Sequence, residues 1–251
     1  MTARLSLLRR HPIKGIGGES LEQVHLLASR PLPGDRQWAL LHEGGEHHAA
    51  VDPARWLPKS CFLQGARSAA LQAVQGGWSD EAGDVLTLTH PGLPDLTFAP
   101  ATEGAALAEW VAPLWPAGLP AATRLVRATT AWMDVSQPWV SILSISSLSA
   151  LEAQLGRALG TSRWRGNIWV EGWEPGHELD LIGQILKIGQ VELLVKEPIG
   201  RCAATSADTQ TGTIDGDMPA TLQAIHAHKN FGIYAQVVTG GRVRIGDEVQ
   251  L

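Results

Sequence analysis

Cys202 stands in VKEPIGRCAATSADTQTG, after a strand-like apolar stretch and at the head of a polar, glycine-bearing loop, with Arg201 beside it. A thiol next to a cation tends towards thiolate, the form that attacks electrophiles and ligates soft metals. The same position also reads as a small, half-buried apolar group, and the local residues leave both readings open. The only other cysteine, Cys61, is distant in sequence, so neither a CxxC redox pair nor a cysteine-rich zinc site can be built. One disulfide is formally allowed, but reduced thiols are expected. The remaining candidates carry weaker chemistry. His47-His48 lacks an i, i+4 partner or an HExxH helix and reads as an exposed loop. Gly15-Ile16-Gly17-Gly18 matches neither GxGxxG nor GxxxxGK[ST]. Asp208, Asp215 and Asp217 lack calcium-loop spacing and suit turns and caps. No GxSxG elbow occurs, which removes the main signal for a serine hydrolase.

The elements that must position such residues are short. Among 251 residues there are 27 Gly and 15 Pro but one Tyr, a composition that cuts the chain into strands and turns. LSLLRRHPIK, LEQVHLLA, RQWALLH, LQAVQ, DVLTLTH and LTFA predict a mostly β first half. EGAALAEWVAPLW predicts a short helix stopping near Pro113, and WPAGLPAATR a connector. In the second half Leu148, Leu151, Leu155 and Leu159 predict a helix capped by Ser146 or Ser147 and closed by Gly160. NIWVEG, ILKIG, VELLVKEP, GIYAQVV and RVRIGDEVQL read as strands, and PATLQAIHAHK as a helix capped by Asp217. The expected fold class is therefore mostly β with a few helices, β or α+β, in two barrel-like units.

Composition excludes several classes of function. With 44% hydrophobic and 18% charged residues the chain can bury a full core. Twenty Lys plus Arg against 25 Asp plus Glu give a charge of −5, so nucleic acid is not an expected partner, although a basic pocket can sit inside an acidic protein. The ten Trp residues lack the basic stripe of a stacking platform. No run reaches the roughly 18 to 20 apolar residues of a membrane span, and the N-terminal apolar run is too short for a secretory signal. A cytoplasmic protein without a membrane span is expected.

Five segments together resemble one family. RWRGNIWV from Arg163, ELDLIGQILKIG from Glu178, GRCAATSADTQTG from Gly200, FGIY from Phe231 and GGRVRIGDEV from Gly240 occur in order. They resemble the MOSC domain, the molybdenum cofactor sulfurase C-terminal domain. HPIKG from His11, GESL from Gly18 and PGDRQW from Pro33 resemble the β-barrel domain that precedes it in the mitochondrial amidoxime-reducing component branch. The resemblance covers nearly the whole chain and implies an N-terminal MOSC-type β-barrel domain over 1–118 and a MOSC domain over 119–251.

The resemblance implies the molybdenum cofactor, Mo-molybdopterin, with Cys202 as the thiolate ligand of the metal and the catalytic residue. A thiolate suits a sulfur-ligated, high-valent metal better than carboxylate or imidazole does. By motif position, Lys14, Arg36, Arg165 and Asn167 match residues that hold the phosphate and pterin. Arg supplies a planar fork of N–H donors and Lys a mobile point charge. Ser146 or Ser147 at a helix start can add donors. Arg201 can contact the cofactor or act on Cys202, Thr205 and Ser206 can support the thiol, and Asp208 is assigned to loop structure, while Arg163 and Arg124 read as surface charges. Gly15 stands where the family often has Ser, leaving a backbone N–H as the donor, and Gly166 replaces the common Pro of R-P-N. The implied activity is an oxidoreductase that removes oxygen from a small N-hydroxylated or N-oxide substrate. The alternative is a sulfur-transfer or cofactor-carrier module using a Cys202 persulfide. Two cysteines are too few for a four-cysteine cluster, so electrons are expected from a separate donor protein, such as a flavoprotein with a haem or iron–sulfur carrier.

Overall fold

RLSLLRR forms β1 (Arg4–Arg10), where a register irregularity between Leu5 and Leu7 lets Leu5 and Leu8, three residues apart, both be completely buried. The computed structural model describes residues 2–51, 55–80 and 82–251. After β1 come β2 (Glu19–Leu21), β3 (Gln23–Leu26), β4 (Trp38–His42), α1 (Glu43–Val51), β5 (Gln75–Trp78), β6 (Leu86–His90), β7 (Leu93–Phe98) and α2 (Gly104–Val111). The chain continues through β8 (Ala122–Arg127), β9 (Val140–Ser144), α3 (Ile145–Leu155), β10 (Ile168–Glu171), β11 (Ile185–Ile188) and β12 (Val191–Gly200). It ends in α4 (Met218–His226), β13 (Asn230–Thr239), β14 (Gly241–Arg244) and β15 (Val249–Gln250). The architecture is mostly β with a few helices, as the sequence predicts.

One sheet runs β15-β11-β12-β13-β9-β10-β1-β2. Its ends meet: Leu5 N donates to Asp247 O at 2.8 Å, Gly246 N to Leu5 O at 2.8 Å and Val249 N to Ala3 O at 2.9 Å. This pairing of β1 with the β15 segment closes a barrel. Leu5, Leu8, Ile142, Val170, Leu193 and Ile233 line its core, each full burial of an aliphatic side chain contributing about 1.5–3 kcal/mol. The three-stranded sheet β5-β6-β7, the pair β4-β8 and α2 surround a second core that includes Ile13, Ile16, Leu40, Leu88 and Phe98. A single stretch of chain thus places Leu8 in the first core and Ile13 in the second. Lys14 is thereby set at the junction of the two.

Several local expectations need correction. Ser144, not Ser146 or Ser147, caps α3, accepting from Ser147 N at 3.2 Å, and Gly156 in the left-handed region ends the helix before Gly160. Leu159 is buried beyond the helix and packs in the same cluster as Leu148 and Leu151. His47 and His48 lie on α1, not in a loop. Ala70–Ala73 is a tight 3-10 turn, and the strand begins only at Gln75. The connector already contains β8 from Ala122. Asp217 caps α4 as expected, accepting from Ala220 N at 3.0 Å.

Candidate functional site

Three turns converge on a cleft at the junction of the two cores. The HPIKG segment delivers Lys14 and Gly15, the left-handed turn after Asp35 delivers Arg36, and the turn after Trp164 delivers Arg165. Arg36 and Arg165 each have φ of 49°. Residues with a Cβ enter that region at a cost of about 1–2 kcal/mol, so both guanidinium groups are aimed by backbones that the surrounding contacts must hold.

Those contacts form a lattice. Arg36 pairs with the fully buried Asp35 and donates to Arg165 O at 3.1 Å. Arg165 donates to Gly17 O at 2.7 Å and Ile13 O at 3.2 Å. Lys14, 4% exposed, donates to Trp132 O at 3.0 Å and to the carboxylate of Asp134. A guanidinium carries five N–H donors, so both arginines keep donors for a ligand.

In the same lining, β12 ends at Gly200 and Cys202 follows, exposed, a free thiol at the start of a 3-10 turn over Ala203–Ser206. Its carbonyl accepts from Thr205 N at 3.0 Å and Thr205 Oγ1 at 2.9 Å. Cys61 is also free but 2% exposed, and burial pushes its thiol up. Of the two cysteines, only Cys202 therefore offers a thiol to the cleft.

The cleft is electropositive. Lys14, Arg36, Lys59, Arg163, Arg165 and Arg201 line it, against the acid Asp134. Asp35 and Asp215 neutralise Arg36 and Arg163 from behind, whereas Arg165 and Arg201 have no ion-pair partner among the described residues. Burial, followed by the field of Arg36, pushes Arg165 down to about 9, and burial pushes Arg201 down to about 10. Burial likewise lowers Lys14, against the pull of Asp134. Crowded, desolvated cations of this kind are relieved by an anion. The donor set, an accessible thiol with a cation cluster, fits a metal cofactor that carries a phosphate.

Of the expected site residues, Lys14, Gly15, Arg36, Arg165, Arg201 and Cys202 share one cleft, and three others lie outside it. Ser147 Oγ donates to Glu178 at 2.8 Å and accepts from Gly176 N at 2.9 Å, so its hydroxyl is committed within the barrel domain. Ser146 beside it does not line the cleft. Asn167 is fully buried and ties strands together, accepting from Ser141 N and Oγ and donating to Arg9 O. Arg201 lines the cleft, yet its donors go to Phe231 O and Trp164 O, with the guanidinium 5.5 Å from the Trp164 ring. Arg163, expected at the surface, is 2% exposed, while Arg124 is the exposed partner of Glu46. Ser206 Oγ accepts from Met218 N, and Asp208 shapes its loop by accepting from Gln210 N and Thr211 N.

Sequence reasoning missed Tyr234, Asp134, Lys59 and Gln72 as cleft residues. Tyr234 is the only tyrosine and sits in the FGIY segment, a signal present in the sequence. The other three carry no local pattern. Among the described residues no cluster of three or more His, Cys, Asp or Glu can hold a metal.

Two family models match the chain. The MOSC domain model matches residues 134–250, and the MOSC N-terminal beta barrel domain model matches residues 2–115. The chain belongs to the MOSC family. MOSC domains are associated with molybdenum-cofactor binding and sulfurase-like function. Among solved structures, this MOSC protein is similar to the YUAD protein from Bacillus subtilis, with 13% identity, a TM-score of 0.46 and coverage of 99% of this chain and 94% of that one. YiiM from Geobacillus stearothermophilus is 19% identical, with a TM-score of 0.35 and coverage of 44% and 52%. A comparison with curated proteins finds no match. Among the described residues no helix is long and apolar enough to cross a membrane.

Proposed function

We propose that the cleft holds the molybdenum cofactor and that the protein is an oxidoreductase removing oxygen from N-hydroxylated or N-oxide compounds. The observation that carries this reading is the placement of the exposed Cys202 thiol in the same cleft as Lys14, Arg36 and Arg165. Cys202 is the metal ligand. Lys14, Arg36 and Arg165 would hold the cofactor's phosphate, with the Gly15 backbone N–H as a further donor.

When bound, the cofactor supplies two-electron oxygen-atom chemistry. The protein's part is orientation and charge. Arg36 and Arg165, cross-linked through Arg165 O, present donors pre-set by their backbones, which lowers the ordering cost of binding an anion. Burial holds Tyr234 up at about 12, so at neutral pH it keeps its proton on Oη and faces the cleft as a hydrogen-bond donor. Arg201 contributes a fixed positive field from a guanidinium held by the carbonyls of Phe231 and Trp164 through three of its five N–H groups. Reducing equivalents come from a separate donor protein.

Elemental analysis of protein expressed with cofactor supply tests the assignment. Wild type and Cys61→Ala are expected to carry near one molybdenum per chain and to turn over an amidoxime with an artificial reductant, and Cys202→Ala to lose both. A larger loss in Cys61→Ala would mean the wrong sulfur was chosen. Metal-free wild type with labile sulfur on Cys202 would instead favour sulfur transfer.

A further inference from the structure

Single-point contacts tie the cysteine segment to the turn that carries Arg165, Arg201 Nη1 donating to Trp164 O at 2.8 Å and Arg163 Nη1 to Thr205 O at 3.1 Å, and one carboxylate adds a two-point clasp. Residues 203–217 leave Cys202, form the 3-10 turn Ala203–Ser206, run out and back through the bridge Ala207–Ile214, and arrive at Asp215. Asp215 N donates to Ser206 O at 3.1 Å, closing the base of this hairpin. The Asp215 carboxylate then receives Arg163 through both terminal nitrogens, at 2.9 and 2.6 Å. Arg157 grips the same residue from outside, through its carboxylate and, at 3.2 Å, its carbonyl.

Arg163 is the centre of the clasp. Its side chain is 1% exposed, and Nη1 also donates to Thr205 O at 3.1 Å. Thr205 in turn holds the Cys202 carbonyl. Arg163 belongs to the tight turn Ser162–Trp164, whose next residue is Arg165 with its left-handed backbone. One bidentate pair therefore joins the loop that carries the thiol to the turn that carries the phosphate cation. A planar fork on both carboxylate oxygens fixes orientation as well as distance, whereas a single-point contact leaves rotation free.

We propose that Asp215 is a positioning residue: by clamping Arg163 it holds the Cys202 loop and the Arg165 turn in one register. Asp215 itself does not line the cleft. The proposal deepens the reading given above, because it assigns how the thiol and the phosphate cation are kept at a fixed spacing.

The test compares full-length wild type, Asp215→Asn and Arg157→Ala by amide hydrogen exchange. In Asp215→Asn, exchange is expected to rise about tenfold or more in both 162–167 and 202–208 while β12 keeps wild-type protection. Arg157→Ala, which removes only the outer arm, is expected to change both segments by less than about threefold. Loosening of only one segment, equal loosening everywhere or no change would overturn the proposal. Arg163→Lys keeps the charge but loses the fork and should reproduce the Asp215→Asn pattern, which covers the case of an Asn variant that fails to fold.

A second readout separates positioning from simple loss of stability. In cofactor-loaded protein the thiolate-to-molybdenum absorption band should shift in Asp215→Asn and stay in place in Arg157→Ala. An unmoved band at full loading counts against the proposal. If Cys202→Ala retains full molybdenum, the cofactor reading fails instead, and the exchange pattern still decides the role of Asp215.

Discussion

Behind the cation lattice lies His11, 1% exposed, with its backbone N–H donating to Asp35 at 2.7 Å. Its ring Nδ1 stands 3.4 Å from the same carboxylate without a hydrogen bond. Burial first, and the nearby Arg165 second, push the imidazole down to about 3. The native chain therefore refuses a proton that the unfolded chain accepts below the ordinary value of 6.5. Stability falls as pH falls through that window, by about 1.4 kcal/mol per pH unit for one proton. Burial alone would raise Asp35, but Arg36 and His11 together outweigh it and hold the carboxyl below the usual range, so it adds stability above that range and loses it as acid approaches its native value. Denaturant titrations between about pH 7 and 4 should show the slope, and His11→Gln should reduce it by close to one proton. An unchanged slope would assign the acid sensitivity elsewhere.

At the same scale, residue type makes Cys202 and the arginines legible, since only a few side chains ligate a soft metal or grip a phosphate. Their local commitments are not legible. The partner of Ser147 is Glu178, on a separate turn, and no spacing in the sequence announces a contact that folding alone creates. Arg201 lies in the cleft lining, but three of its N–H groups are held by the carbonyls of Phe231 and Trp164, a fact that depends on where β13 passes.

Among the elements, the hairpin after Cys202 reaches from the barrel to the other core. Gln75 Nε2 donates to Thr209 O at 3.3 Å, and a Cβ on Gly212 would stand 2.9 Å from Ala70 Cα. Gly212 also has φ of +69°. Gly212→Ala is expected to cost about 2–4 kcal/mol, combining strain with overpacking, and to lower Tm by several degrees in calorimetry. Gly166 follows a related logic: a Cβ there would collide with Leu143 Cδ1, so the absence of the family's Pro makes room for a buried leucine. Elements with alternation or a clear cap, such as β6 and α4, can be read in advance. β9 cannot, because all five of its residues are buried, and a short apolar run without alternation is ambiguous between strand and buried helix. In α1, two glycines near the start weaken the helix signal.

At the scale of the whole molecule, the two cores share chain. β1 lies between β10 and β2 in the barrel sheet, and its Leu5 and Leu8 are fully buried there. A fragment comprising 119–251 would lack that staff of the barrel and expose β10 as an open edge. It is expected to give a poorly dispersed amide NMR spectrum when expressed alone and to recover dispersion when co-expressed with 1–118. A well-folded isolated fragment would contradict this.

Residues 3–5 and 247–249 run antiparallel, hydrogen-bonded side by side. A few flexible residues could bridge them covalently, and new ends could be opened at Gly118, where nothing crowds the backbone. Such a circular permutant should melt close to the parent temperature, since neighbouring ends make relocation of the break tolerable. The seam of the barrel would then become a continuous loop.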